Sequence, residues 1–257
     1  MRWSERQRTM LQAMGLRLFG AATASALPAV PAASPRPAAR VAGPAAAAPA
    51  ARGATVAAPT GTDVATLDWT ALRAAVAACR ACALCESRQQ TVFGVGHAHA
   101  HWMVVGEAPG EQEDRQGEPF VGPAGQLLDN MLAAIGLSRD EAPPERQVFI
   151  ANTLKCRPPR NRNPDPAETA QCAPFLERQI ALIAPRIILA MGRFAAQALL
   201  ASDAPLGKLR GRVHQYRGVP VVVTYHPAYL LRTPADKARA WEDLCLAASV
   251  VQGGATA

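Results

Sequence analysis

The chain has 257 residues, a formal net charge of +7 and 49% hydrophobic residues, enough for one full domain with a tail or for two small domains. No segment approaches the roughly 18 consecutive apolar residues that a membrane-spanning helix needs, so no membrane role is expected. The charge is uneven: residues 1–60 carry seven arginines against one acid, Glu5, which places +6 there and leaves the remainder near neutral.

Residues 6–19 hold Met10, Leu11, Met14, Leu16, Leu18 and Phe19 at spacings that suit a short amphipathic helix, able to dock on a protein partner. Gln12 and Arg17 interrupt the apolar run, so it does not read as a signal peptide, and a cytoplasmic protein is expected. Residues 21–60 are mostly Ala, Pro, Gly, Ser, Thr and Val, with no acid and no aromatic. Such a stretch buries too little apolar surface to offset its chain entropy. Residues 1–62 are therefore read as a disordered basic arm and linker, and residues 63–257 as the globular domain.

In the globular part, Asp68 is placed to cap a helix running to Cys79. Residues 102–107 form a short buried strand, and 122–136 a helix with Leu127, Leu128, Met131, Leu132 and Ile135 at helical spacing. A second strand covers 147–152 and is followed by a loop rich in Pro and Arg. Pro166 opens a long helix, and the third strand, RIILAMG, leads into the helix GRFAAQALL. A fourth strand covers 219–225, and a closing helix begins at PADKARAW. Strands alternating with helices predict an α/β fold, a three-layer α/β/α arrangement around a central four-stranded parallel sheet. Ligands in such sheets sit at the carboxyl ends of the strands, where this chain carries Gly106-Glu107, Asn152 and His226.

Cys79, Cys82 and Cys85 lie in CRACALC, and Cys156 and Cys172 flank the Arg-Pro loop. A Cys-x-x-Cys pair with two distant cysteines supplies four thiolates for zinc or for a [4Fe–4S] cluster, and the spacing does not choose between them. Cys245, beside Trp241 and Leu244 on the last helix, is expected in the core. The alternating His97, His99 and His101 read as a polar loop entering a strand. Two basic groups, Lys155/Arg157/Arg160/Arg162 and Lys208/Arg210/Arg212/Arg217, suit a localised polyanion track.

Residues 106–125, GEAPGEQEDRQGEPFVGPAG, follow a strand and precede a helix. Their glycines permit close backbone approach to a ligand, but they match neither a P-loop nor a dinucleotide fingerprint. With IANTLKCRPPRNRNP (150–164), YHPAYLLR (225–232) and Cys79-x-x-Cys82, this segment resembles the uracil-DNA glycosylase superfamily, specifically its iron–sulfur family 4. The resemblance covers roughly residues 68–250.

It implies a DNA-repair enzyme that hydrolyses the N-glycosidic bond of uracil, with a [4Fe–4S] cluster held by Cys79, Cys82, Cys156 and Cys172 and with Cys85 as the ambiguous thiol. It further implies His226 as a donor to uracil O2, Asn152 as reader of the uracil edge, and Phe120 as a stacking ring. The Glu107–Ala108 backbone would bind uracil, and Glu113 would order its loop. Tyr229, Leu230, Leu231 and Arg232 would enter the duplex, one of the leucines as wedge, with Arg157, Arg160 and Arg162 on the DNA path. The best-known relatives carry an Asp where this chain has Ala108, so the group that orients water is open: Glu107, or leaving-group stabilisation alone. No Lys stands out as a Schiff-base nucleophile, so no strand cleavage is expected.

The expected partner is uracil-containing DNA, single- or double-stranded, bound by a monomer in the cytoplasm at the nucleoid. Two other readings compete. One is a non-catalytic four-cysteine nucleic-acid-binding module. The other is a relative that binds or traps uracil-DNA, weakened by the absence of an inserted basic loop with an extra His before HPAYLLR.

Overall fold

The computed structural model describes residues 64–253. The predicted arm, linker and helix at 6–19 lie outside them. Asp68 caps α1 (Trp69–Ala78), its carboxylate accepting from Ala71 N–H at 2.8 Å. A short α2 (Leu84–Ser87) and β1 (Val95–Gly96) lead to β2 (Trp102–Gly106), every residue of which is buried. Next come α3 (Glu111–Gln116), α4 (Pro123–Ala134) and β3 (Val148–Asn152). Asp165 and Pro166 open α5 (Pro166–Ile183), which precedes β4 (Ile187–Met191), α6 (Arg193–Leu200) and α7 (Leu206–Leu209). The chain continues through β5 (Val213–Tyr216), β6 (Val219–Thr224), α8 (Pro227–Arg232) and α9 (Lys237–Gly253).

The sheet order is β1-β3-β2-β4-β6-β5. Its central four strands pair in parallel, as the alternation of apolar runs predicts, while β1 and β5 add antiparallel edges. The sheet is thus mixed and six-stranded. Sequence reading misses both edges for physical reasons: β1 has two residues and no pattern, and β5 is a half-exposed strand set among basic residues, as edges often are.

Alternate residues of each central strand enter opposite cores. Trp102, Val104, Ile150, Leu189 and Val222 pack with α4 and α9, whereas Met103, Val105, Phe149, Ile188 and Val223 pack with α1, α5 and α6. This makes the three layers. None of the described helices is long and apolar enough to cross a membrane.

Three residues depart from expectation. Cys245 is exposed, because α9 turns Ala240, Trp241, Leu244 and Ala247 inward and carries position 245 just past that stripe. Lys155 is not part of a surface track but is 2% exposed. Arg210 is held inside: its Nε donates to Asp243 at 2.7 Å and its guanidinium lies 4.3 Å from the Tyr225 ring centroid.

Asp243 is fully buried and also accepts from Gly211 N–H at 3.3 Å. Burial raises its pKa, and Arg210 opposes that shift. Arg210→Met should therefore cost about 3–5 kcal/mol of stability at neutral pH, the usual penalty of a buried charge stripped of its partner. The loss should shrink at low pH as Asp243 protonates. Urea denaturation at two pH values measures it, and a loss below about 1 kcal/mol at pH 7 would contradict this account.

Candidate active site

The carboxyl ends of β2, β3, β4 and β6 meet at one edge of the sheet, and a cleft of about 690 Å³ opens there. Glu107, Ala108, Glu113, Phe120, Asn152 and His226 all line it, together with Arg162, Tyr229 and Arg232.

Asn152, the last residue of β3, is 2% exposed. Its Oδ1 is buried without a hydrogen-bond partner. A buried amide left unpaired costs free energy, so this oxygen is set for a ligand that supplies a donor. Gly106 makes the position possible: a Cβ there would stand 2.4 Å from Asn152 Oδ1 and 2.6 Å from Phe120 Cζ.

Phe120 is buried with a left-handed φ of 55°, a conformation that a bulky residue adopts only when its surroundings enforce it. Glu113 enforces it by accepting from Gly110 N–H at 3.1 Å and Val121 N–H at 3.0 Å. Gly125 enforces it too, since a Cβ there would fall 1.7 Å from Phe120 O. The Phe120 and His226 rings share one wall, with centroids 5.3 Å and planes 27° apart.

His226 caps α8. Its Nδ1 accepts from Ala228 N–H at 3.2 Å, so in the neutral ring the proton sits on Nε2. Burial, with the charge of Arg232, pulls its pKa down to about 4. The group is thus a neutral donor at ordinary pH. Glu107 has its carbonyl pinned by Leu154 N–H at 3.1 Å and by the Thr153 hydroxyl. Burial raises the pKa of its carboxyl, and Arg193 opposes the rise.

Arg193 and Phe194, at the start of α6, also line the cleft. Sequence reading passed over both, although their place just after a strand end could have marked them. Of the two leucines in α8, Leu231 is 45% exposed, whereas Leu230 is fully buried in the core. Arg160 is exposed, Arg162 is ion-paired with Glu168, and Arg157 donates to Asn161 Oδ1 at 2.8 Å.

A second, smaller pocket is lined by Cys79, Cys82, Cys85, Cys156 and Cys172. Arg88 Nη1 donates to Cys156 Sγ at 3.0 Å, and Lys155 N–H donates to Cys172 Sγ at 3.2 Å. Burial pushes the Cys172 thiol up to about 12, with Lys155 opposing. Thiolate is the ligand form, so a cationic metal centre would offset that cost. Among the described residues, no three His, Cys, Asp or Glu side chains form a group that could hold a single metal ion.

A strand-end cleft with a buried, unpartnered amide and a neutral imidazole, and a cysteine-lined pocket along the loop after β3, marks an α/β domain built to take a small polar ligand. Sequence comparison agrees: the model of the Uracil DNA glycosylase superfamily matches residues 93–245, and the chain belongs to that superfamily. Within it, the chain is 42% identical to the type-4 uracil-DNA glycosylase of Archaeoglobus fulgidus over 167 residues, 62% of this chain and 81% of that protein. It is 40% identical to the type-4 enzyme of Pyrobaculum aerophilum over 188 residues, 70% and 93% of the two chains. The type-5 uracil-DNA glycosylase of Thermus thermophilus shares 35% over 135 residues, 49% of this chain and 59% of that protein.

The state of His226 is directly measurable. A ¹⁵N-detected titration should show it neutral, with Nε2 protonated, down to about pH 5, and titrating near 4. Its folded pKa lies below the unfolded value, so the folded state prefers the neutral form. The site's contribution to stability is lost as pH falls from about 6.5 toward 4. A ring that titrates at 6.5 would refute the assignment.

Proposed function

We propose that this protein excises uracil from DNA, hydrolysing the N-glycosidic bond and leaving an abasic site for base excision repair. The observation that carries the reading is the buried, unpartnered Oδ1 of Asn152 in the cleft. Uracil presents a donor at N3–H and an acceptor at O4, and a neutral amide complements both. Cytosine presents the reverse pattern and would leave both groups unpaired.

A base inside a duplex is out of reach and must be flipped out. Phe120 then offers a ring face, and the Glu107–Ala108 backbone a rigid rim ordered through Glu113. As the bond breaks, positive charge grows on the sugar and negative charge on uracil. His226 Nε2–H is the donor for O2, and being neutral already it needs no prior protonation. Ala108 brings no carboxylate, so Glu107 is the group assigned to orient water. Leu231, not the buried Leu230, suits the wedge. Tyr229, Arg232, Arg157, Arg160 and Arg162 flank the DNA path, with Arg193 added from the structure. The reaction assigned is hydrolysis, without lyase activity.

Cys79, Cys82, Cys156 and Cys172 suit a [4Fe–4S] cluster, with Cys85 held in reserve. The cluster's role is structural, since base hydrolysis transfers no electrons. It would hold α1 against the Arg-Pro loop. Residues 63–257 make the catalytic domain, acting as a monomer on single- or double-stranded DNA in the cytoplasm at the nucleoid, and residues 1–62 an accessory arm.

Single-turnover excision from uracil oligonucleotides tests the reading. His226→Ala should lower the rate by about 10²–10³ with DNA binding little changed. Asn152→Asp should remove most uracil excision, because a carboxylate cannot donate to O4. Parental rates in both folded variants would sink the proposal. Cys156→Ser or Cys172→Ser should reduce iron content and stability together, as ligation couples to folding. Full iron in both would overturn the ligand set.

A further inference from the structure

Lys155 is a fully enclosed lysine with no carboxylate partner. Its ammonium donates to Asn152 O at 2.8 Å and to Gln179 Oε1 at 2.7 Å. Gln179, itself wholly buried on α5, donates its amide N–H to Phe93 O at 2.8 Å. The Lys155 backbone is held on both sides, its N–H on Cys172 Sγ at 3.2 Å and its carbonyl by Val92 N–H at 2.8 Å. Every polar group of this lysine is therefore committed, in a region where an uncommitted one is costly.

The same bonds end at the residue that reads the base. No polar group orients Asn152 Oδ1. What fixes the amide is its packing over Gly106 and the direction in which its own backbone launches it. The peptide that follows Asn152 is the one gripped by Lys155. A shift of a few tenths of an ångström there swings the side chain, and hydrogen bonds weaken quickly with misalignment.

We propose that Lys155 is a positioning residue that aims the Asn152 amide, passing the conformation of the Cys156–Cys172 loop to the uracil edge. It does so without touching the base. The inference rests on Asn152 reading uracil. It predicts a defect in kcat and in base discrimination, since misaligned donors weaken transition-state stabilisation more than they weaken DNA binding.

The test compares Lys155→Met and Gln179→Leu with the parental holoenzyme. Gln179 lies on α5 with Cys172 but, unlike Lys155, does not line the cysteine pocket, so its variant remains informative if Lys155→Met folds poorly. Three quantities are read: iron per chain by absorbance near 400 nm, kcat against KM on a uracil oligonucleotide, and the ratio of uracil to mismatched-cytosine excision. We expect Gln179→Leu to keep its iron and its KM, to lose about tenfold in kcat, and to discriminate less between the bases. Two results would overturn the proposal: an iron-replete Gln179→Leu with parental kcat and discrimination, or activity that falls only in proportion to iron. A parental protein inactive on uracil would instead sink the underlying reading of the site, and so the two failures are distinguishable.

Discussion

A sheet covered on both faces has only its ends and edges left for chemistry, and that constraint organises this protein. The four central strands are buried on both sides, so their residues can do little but pack. The first residues free to act are those just past each carboxyl end. Because these strands are parallel, Gly106, Asn152, Gly192 and His226 arrive at the same edge. The site is a geometric consequence of parallel pairing, and the loops between strands and helices only refine it.

Much of this is legible in the chain itself. The apolar runs 102–106, 148–152, 187–191 and 219–224 are too short for helices and too apolar for exposed strands, which leaves the buried parallel sheet as the consistent reading. Asp68 and Pro166 mark helix starts by local chemistry alone. What escapes the sequence is whatever depends on partners distant along the chain. Lys155 and Arg210 look like surface cations until Gln179 and Asp243 are seen beside them, 24 and 33 residues away. Leu230 and Leu231 are indistinguishable as letters, and only the register of a six-residue helix sends one inward. Arg193 follows a strand end, the one signal that points to it, while an arginine opening a helix carries no signal of its own.

These burials change the electrostatic picture. Once Lys155, Arg210 and the ion-paired Arg162 and Arg217 are assigned, the unpaired cationic rim of the cleft reduces to Arg193 and Arg232, with the exposed Arg160 on the Arg-Pro loop. For a DNA ligand, a rim this small would suit contact with a few phosphates over a long electrostatic track.

A group held in the cysteine-lined pocket would serve this site without any redox step. An amide that is to read a base must be stiff, yet Asn152 is the last residue of β3, where strand pairing ends at the cleft. Stiffness has to come from the segment that follows, residues 153–165, which carries Pro158, Pro159 and Pro164 and has no regular structure longer than a three-residue turn. Such a loop cannot fix itself through backbone pairing. Thr153 and Leu154 bond to the Glu107 carbonyl, Lys155 to Gln179 and Cys172, Cys156 to Arg88, and Arg162 to Glu168. Cys156 and Cys172 anchor the loop and α5 at the same pocket as Cys79 and Cys82. A ligand bonded to all four would clamp α1, α5 and the loop together, just behind the amide. Precision at the base would thus be supplied by covalent ligation a few residues away, where the fold has no strand or helix to provide it.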